Sequence, residues 1–256
     1  MKIDAILPAG GRIEGNFATE AGVELKALIR FSESTILERT VAALRATGQV
    51  ERIVVIGPEE LRDVLKNSDI QALLPEGASG PDNIYRGLDW LGDHGGCAHS
   101  VLVAATDLPF LSARSINEFL AACPVDADLC APILRKDEFE SFYPGLAGEY
   151  VRLREGLWTM GCTFLIKPKA LLGSKAQIEG IFGARKSQFA MARLLGFLFL
   201  ARFATKRLSL EHVQKRCEQI LGCGGAGVLG CSPELAFDID GLEEYRHALK
   251  LWNELA

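Results

Sequence analysis

The stretch Ile3-Asp4-Ala5-Ile6-Leu7, followed at once by Pro8-Ala9-Gly10-Gly11-Arg12, decides the fold. Residues 3–7 are mostly apolar and are typical of a buried strand. Adjacent glycines after such a strand allow positive φ angles and let backbone N–H groups turn toward an anion. Lys26 lies fifteen positions after Gly11 and offers a positive charge to the same anion. The stretch therefore predicts a phosphate-binding loop, although two glycines after a strand are also typical of an ordinary turn.

Strands and helices alternate through the first half of the chain. A capping box of Thr35 and Glu38 begins an amphipathic helix, and the β-branched run 53–56 is typical of a strand that is buried on both sides. Further strands are predicted at 70–74, 101–105, 162–166 and 234–239, and further helices at 59–66, after the loop 77–82, at 112–121 and at 242–255. Alternation at these lengths predicts an α/β fold with a mainly parallel sheet and helices on both faces.

The pattern changes from about residue 134. Residues 134–160 are polar and lack periodicity, and residues 187–221 predict two helices divided near Ser209, a good N-cap. We expect one domain over 1–256, with an insert or helical subdomain at about 134–221.

The apolar run Leu194–Phe203 is only about ten residues long, whereas a membrane-spanning helix needs roughly twenty. We expect it to be buried under the sheet or in a subunit contact, so a homodimer is one expectation. Contact with a membrane surface is the alternative. The basic residues that support this alternative are Arg193, Arg202, Lys206 and Arg207.

Composition narrows the class of protein. The 256 residues are 48% apolar and 24% charged, which is typical of a globular protein. A net charge of −5 argues against nucleic acid as the partner. The chain begins with a strand pattern and not with a signal peptide. Its seven cysteines form no Cys-x-x-Cys pair, which predicts reduced thiols in the cytoplasm, and the spacing of Cys217, Cys223 and Cys231 does not fit a zinc site.

Acidic residues at two places are candidate metal ligands. Asp107 follows the strand 101–105, and the carboxyl end of a central strand is where open α/β sheets bind ligands. Mg²⁺ prefers one or two carboxylates together with phosphate oxygens. Asp238 and Asp240 are two positions apart, so on an extended segment both carboxylates point to one side. Asp107 could equally be a turn residue, and Asp240 a helix cap.

These features together resemble the nucleotidyltransferases related to the molybdenum-cofactor guanylyltransferase, that is, the MobA-like NTP transferase domain family. The resemblance covers most of the chain and points to an uncharacterised subgroup. It is strongest at Leu7-Pro8-Ala9-Gly10-Gly11, Lys26-Ala27-Leu28, Ala105-Thr106-Asp107-Leu108-Pro109 and Asp238-Ile239-Asp240. The resemblance implies a three-layer α/β/α fold of the GT-A type.

The resemblance also implies roles for individual residues. The loop Pro8, Ala9, Gly10, Gly11 and Arg12 would surround the triphosphate of an NTP. Lys26 would contact phosphate, and Asp107 with Asp240, or with Asp238, would hold Mg²⁺. Ser79, Gly80 and Asn83 would lie near the base and ribose. Lys26 and Asp107 would be the catalytic residues.

The implied reaction transfers an NMP from an NTP, with GTP or CTP favoured, to a small phosphorylated or hydroxyl acceptor, and releases pyrophosphate. One alternative is a GT-A glycosyltransferase that uses a nucleotide sugar, for which Asp126-Ala127-Asp128 has the right form but lies beyond the expected strand end. Another is a non-catalytic nucleotide-binding or assembly protein of the same fold.

Three features depart from the family pattern. Glu20 stands where many relatives carry an arginine, which leaves Arg12 as the replacement cation. The loop from Gly11 to Lys26 is longer than usual, and Met160-Gly161-Cys162 stands where relatives often have Gly-Gly-Asn.

Overall fold

The computed structural model describes residues 2–146, 148–184 and 187–255. Its strands are β1 (Ile3–Pro8), β2 (Arg30–Phe31), β3 (Ser34–Thr35), β4 (Val50–Ile56), β5 (Ala72–Leu74), β6 (Val101–Ala104), β7 (Leu129–Arg135), β8 (Val151–Leu153), β9 (Gly156–Met160), β10 (Thr163–Ile166) and β11 (Gly225–Val228). Its helices are α1 (Gly15–Ala21), α2 (Ile36–Ala46), α3 (Arg62–Leu65), α4 (Gly80–Asp93), α5 (Ala113–Ala122), α6 (Lys136–Phe142), α7 (Pro168–Gly173), α8 (Lys175–Ala184), α9 (Gln188–Leu195), α10 (Phe197–Ala204), α11 (Leu210–Leu221) and α12 (Leu242–Leu255).

The main sheet has the strand order β5-β4-β1-β6-β10-β7-β9-β8, with β11 paired to β7. Strands β5, β4, β1 and β6 are parallel, whereas β10 runs antiparallel to both β6 and β7. The predicted α/β class with a mainly parallel mixed sheet is therefore confirmed. Because β1 and β6 are parallel neighbours, the segments that follow Pro8 and Ala104 lie at the same edge of the sheet.

Helices cover both faces of the sheet, which gives the three layers. Ile3, Ala5 and Leu7 of β1 pack in the cluster that includes Leu37 of α2 and Phe119 of α5. The intervening residue Ile6 packs on the other face, against Tyr85 and Leu88 of α4. Alternate residues of a strand point to opposite faces, so β1 is buried from both sides.

A third cluster of buried side chains fixes the segment that precedes α12. Phe237 and Ile239 are buried among residues of α1, α6 and α12. The rings of Tyr143 and Phe237 are 4.7 Å apart, and those of Phe17 and Tyr245 are 5.5 Å apart. This aromatic packing holds the backbone around Asp238 and Asp240.

Several local predictions need correction. Residues 134–160 are not irregular: they contain α6 and the antiparallel pair β8–β9. Three helices, α9 to α11, occupy 187–221, although Ser209 does cap α11 as expected. The prediction of a strand at 234–239 is wrong. The segment instead has a 3₁₀ turn at Pro233–Leu235, and it is held by single hydrogen bonds such as Cys162 N–H to Leu235 O.

The apolar helix α10 is not buried under the sheet, contrary to expectation. None of its residues is buried, and Phe197 and Leu198 are 83% and 70% exposed. In the part of the chain that the structure describes, no helix is long and apolar enough to cross a membrane.

Candidate active site

Three carboxylates converge at the edge of the sheet where β6 ends. The carbonyl of Asp107 accepts a hydrogen bond from the N–H of Ile239, at 3.0 Å. Since the side chains of Phe237 and Ile239 are buried on one side of their segment, Asp238 and Asp240 project to the other side, toward Asp107. One oxygen from each of the three aspartates lies within 4.8 Å of the others. The fold thus brings together all three aspartates singled out from the sequence.

Lys26 lies in this cluster because the two ends of the loop before it are hydrogen-bonded to each other. The backbone of Arg12 pairs with that of Leu25, and the N–H of Lys26 donates to the carbonyl of Gly11 at 2.9 Å. The residues between form helix α1, which ends at Gly22 in the left-handed conformation, with φ of 70°. The Nζ atom of Lys26 lies 3.1 Å from Oδ2 of Asp107 and also donates to Asp240.

Burial and charge act in opposite directions in this cluster. Burial raises the pKa of Asp107, and the ammonium group of Lys26 offsets only part of this effect. Burial alone would lower the pKa of Lys26, but Asp107 and Asp240 outweigh it and raise the pKa. Burial together with the charges of Asp107 and Asp240 raises the pKa of Asp238 to about 6. A further cation would relieve the repulsion among these carboxylates.

The glycine loop lies beside Lys26 at the end of β1. The N–H of Ala9 still donates to the carbonyl of Ile56, and the hydroxyl of Thr106 donates to the carbonyl of Pro8, which fixes the loop against β4 and β6. Among the described residues, none accepts a hydrogen bond from the N–H of Gly10 or of Gly11. Free N–H groups beside an ammonium group are suited to binding an anion.

Arg12 and Glu20 each form an ion pair with a residue far away in the chain. The guanidinium of Arg12 donates to the carbonyl of Gly10 and pairs with Glu76, with Nη2 and Oε1 2.6 Å apart. Glu20 pairs with Arg246 of α12, so it ties α1 to α12. Arg12 is therefore a second cation at the glycine loop, besides Lys26, whereas Glu20 faces α12.

Ser79, Gly80 and Asn83 lie at the N-terminus of α4. The hydroxyl of Ser79 accepts from the N–H of Asp82 and caps the helix. The side-chain oxygen of Asn83 accepts from the N–H of Gly77, at 2.6 Å. Gly80 lines a cavity that opens beside Lys26 and Asp107. The polar atoms of Ser79 and Asn83 thus hold the loop, and Gly80 faces the site.

Sequence reasoning missed Glu76 at this edge and named Cys162 only as a departure from the family pattern. Glu76 follows β5 in the same way that Asp107 follows β6, and that position after a strand was the available signal. The thiol of Cys162 lies beside Asp238, and its burial together with Asp238 and Asp107 raises its pKa. No sequence signal marks Cys162 except its departure from the family pattern.

The pair Asp126 and Asp128 lies away from the cluster. Strand β7 runs parallel to β6, because β10 is antiparallel to both, and Asp128 precedes β7. Its carboxylate accepts from the N–H of Gly224 at 3.0 Å. The Asp-x-Asp sequence therefore lies at the edge of the sheet opposite to Asp107.

The donor set fits Mg²⁺. Oδ1 of Asp107 is buried and accepts no hydrogen bond from the described residues. A buried carboxylate oxygen without a partner is costly, and a bound cation would satisfy it. Three carboxylates at this spacing offer the hard oxygen ligands that Mg²⁺ prefers.

Comparison with known proteins shows the family and the fold. Residues 5–189 match the family described as the MobA-like NTP transferase domain. A hypothetical transferase from Thermus thermophilus has a similar structure, with a TM-score of 0.83 and 29% identity over 95% of this chain and 99% of that one.

Two further solved structures share the fold at lower identity. A nucleotidyl transferase from Methanothermobacter thermautotroptrophicus has a TM-score of 0.59 and 18% identity, covering 100% of this chain and 99% of its own. The 4-diphosphocytidyl-2C-methyl-D-erythritol synthase of Anaerococcus prevotii has a TM-score of 0.60 and 13% identity, covering 98% of both chains.

Proposed function

The chain belongs to the MobA-like NTP transferase domain family, and we propose that it is a Mg²⁺-dependent nucleotidyltransferase. The reaction transfers an NMP from an NTP, with CTP or GTP favoured, to a small acceptor that presents a phosphate or a hydroxyl group. A bond forms between an acceptor oxygen and the α-phosphorus, the bond between that phosphorus and the bridging oxygen breaks, and pyrophosphate leaves.

One observation carries this proposal. The ammonium group of Lys26 lies between Asp107 and Asp240, beside the glycine loop, at the carboxyl end of the central strands. An ammonium group and free backbone N–H groups bind phosphate oxygens, and the adjacent carboxylates hold a divalent cation. Phosphoryl-transfer enzymes need this combination of opposite charges at one place, because their main tasks are positioning and charge neutralisation.

Each part of the site has a proposed role. Gly10 and Gly11 donate backbone hydrogen bonds to the triphosphate, and Arg12 moves from Glu76 to a phosphate oxygen. Lys26 stabilises the negative charge that develops on the transferred phosphoryl group. Asp107 and Asp240 hold the Mg²⁺ ion, with Asp238 as a third ligand. When bound, Mg²⁺ supplies further neutralisation of the phosphate charge.

The nucleotide base and the compartment are finer parts of the proposal. A cytidylyltransferase is among the proteins that share the fold, which supports CTP. The resemblance to the molybdenum-cofactor guanylyltransferase supports GTP, so both nucleotides are tested. A reducing compartment such as the cytoplasm is supported by the seven free cysteines.

The experiment that tests the proposal is thermal unfolding with CTP, GTP, ATP and UTP, each with and without Mg²⁺, beside nucleotide sugars. A ligand that binds only the native state raises the midpoint of unfolding. We expect a Mg²⁺-dependent increase with one NTP, followed by pyrophosphate release when an acceptor is added. An increase with nucleotide sugars alone would favour a glycosyltransferase, and nucleotide binding without pyrophosphate release from any acceptor would favour a non-catalytic protein.

A further inference from the structure

A cavity of about 650 Å³ begins at the candidate active site and extends between the sheet and α8. Lys26, Thr106 and Asp107 of the candidate site line one part of it. Its wall is apolar and is formed by strand residues such as Val103, Phe164 and Ile166 and by helix residues such as Leu171, Ile178 and Ile181. The volume is in the range of small-molecule binding sites.

Two polar groups of the wall, the hydroxyl of Thr106 and the backbone of Cys162, already have hydrogen-bond partners. The hydroxyl of Thr106 donates to Pro8, and the backbone of Cys162 is hydrogen-bonded to Ala105 and Leu235. A base edge or a sugar hydroxyl placed deep in the cavity would lose its hydrogen bonds to water without replacement. Hydrocarbon has no such requirement, so the wall is suited to an apolar ligand.

The reacting group of that ligand must lie beside Lys26 and Asp107. The triphosphate is proposed to bind at the glycine-loop residues Pro8 and Gly11, which line the cavity together with Lys26, and Gly80 lines it at the N-terminus of α4. The apolar strand and α8 residues of the wall are left for the second substrate. We propose that the acceptor is an amphiphile, whose phosphate or hydroxyl group meets the NTP beside Lys26 and Asp107 and whose hydrocarbon part fills the cavity. This inference rests on the proposed function and names its substrate class.

The test measures binding of butyl, hexyl and octyl phosphate by calorimetry, with inorganic phosphate as the reference. Each added methylene is expected to lower the Kd about fourfold until the cavity is full. Ile181→Asn places a polar group in the wall and is expected to remove this dependence on chain length. Leu172→Asn is the matched control, because Leu172 is an exposed residue of the neighbouring helix and does not line the cavity. It is expected to behave as wild type.

The outcomes separate the inference from the proposed function. Equal affinity for all chain lengths, or a dependence that survives Ile181→Asn, overturns the inference. If Ile181→Asn changes the affinity for the NTP but not the dependence on chain length, the nucleobase lies in the cavity, and this result also overturns the inference. If no NTP binds but the chain-length dependence holds, the proposed function fails and the apolar ligand site stands. Should Ile181→Asn not fold, Ile178→Ala enlarges the cavity and must shift the preference toward longer chains.

A different surface carries a second inference. Residues 187–207 contain four basic residues and no acidic residue, in a chain whose net charge is −5. In the same segment Phe197, Leu198 and Phe203 are 83%, 70% and 48% exposed. Exposed apolar side chains among basic ones are complementary to an anionic lipid surface, which provides both hydrocarbon and negative charge. We infer that α10 docks this protein on an anionic membrane surface.

The test is co-sedimentation of the whole protein with vesicles of phosphatidylcholine, with or without phosphatidylglycerol. Binding is expected only to the anionic vesicles and is expected to weaken with salt. The double variant Phe197→Ser, Leu198→Ser is expected to bind at least tenfold more weakly. Val125→Ser, at a 91% exposed position in the segment between α5 and β7, is the control and is expected to bind as wild type.

Three results would overturn this second inference. The wild type stays in the supernatant with anionic vesicles at low salt, or the double variant binds as well as wild type. Alternatively, the wild type is a dimer that the double variant dissociates, which makes α10 an interface between copies of the chain.

Discussion

The carbonyl of Asp107 accepts a hydrogen bond from the N–H of Ile239, and this 3.0 Å contact joins the end of β6 to the segment before α12. It places Asp238 and Asp240 on either side of the hydrogen-bonded residue, next to the carboxylate of Asp107. The acidic cluster is thus built on backbone geometry, and Lys26 pairs with two of its three carboxylates, Asp107 and Asp240.

Replacing the central carboxylate should separate function from folding. Asp107→Asn keeps the shape of the side chain but removes its charge, so we expect Mg²⁺-dependent NTP binding to be lost and pyrophosphate release to fall by about 10²-fold or more. The midpoint of thermal unfolding should change little, because the variant also removes a buried charge. Asp126→Asn, an exposed aspartate of the opposite edge, is the control. Normal turnover in Asp107→Asn would contradict the assignment.

Lys26 should stabilise the protein when no metal is bound. Lys26→Met leaves Asp107 and Asp240 facing each other without a cation. We expect a loss of about 2 kcal/mol, less than for a fully buried pair because Asp240 is 74% exposed. Added Mg²⁺ should restore much of this loss. Thermal unfolding in EDTA and in Mg²⁺ measures both effects, with the exposed Lys66→Met as control. Equal stability of wild type and Lys26→Met in EDTA would refute the prediction.

Arg12 should contribute to NTP binding, and Glu20 should not. Arg12→Gln removes a cation from the glycine loop, and a hydrogen bond to a charged group contributes about 1.5–3 kcal/mol, so the Kd for the NTP should rise about tenfold or more. Glu20→Gln only loosens the contact with Arg246 and should leave the Kd unchanged. Calorimetric titration decides this, with Arg114→Gln as an exposed control. An unchanged Kd in Arg12→Gln would mean that Arg12 stays paired with Glu76.

Gly161 should be required for close packing beside the site. A Cβ atom at this position would lie 2.6 Å from the carbonyl oxygen of Leu235 and 2.8 Å from Cγ of Pro132. Gly161→Ala should therefore destabilise the protein by about 1–3 kcal/mol. Gly180→Ala in α8 meets no atom within 4 Å and should stabilise by roughly 0.5–1 kcal/mol. Urea unfolding gives the free energy of unfolding of both variants. Equal changes would show that the backbone at Leu235 can move to accommodate the added methyl group.

Much of the architecture could be predicted because it depends on local patterns. The apolar run of β1, the capping box of Thr35 and the N-cap at Ser209 are all present in the structure. The strand expected at 234–239 failed because alternating buried residues also arise where Phe237 and Ile239 pack against helices, with no neighbouring strand. The prediction that α10 is buried under the sheet was wrong for a related reason. Its apolar composition predicts burial, but nothing in the described residues covers Phe197 or Leu198.

By itself the sequence determined the strand, the glycine turn and the chemistry of Asp107, Asp238, Asp240 and Lys26, because backbone preferences and side-chain charge are local properties. Only the tertiary structure decided which of these groups meet. Lys26 lies 81 positions from Asp107 and 214 positions from Asp240. The parallel strands β1 and β6 bring the glycine loop and Asp107 to one edge of the sheet, and backbone hydrogen bonds from Lys26 to Gly11 and from Ile239 to Asp107 bring Lys26 and Asp240 there. The pairing of Arg12 with Glu76 and the apolar cavity under α8 likewise depend on packing between distant segments, which no local pattern records.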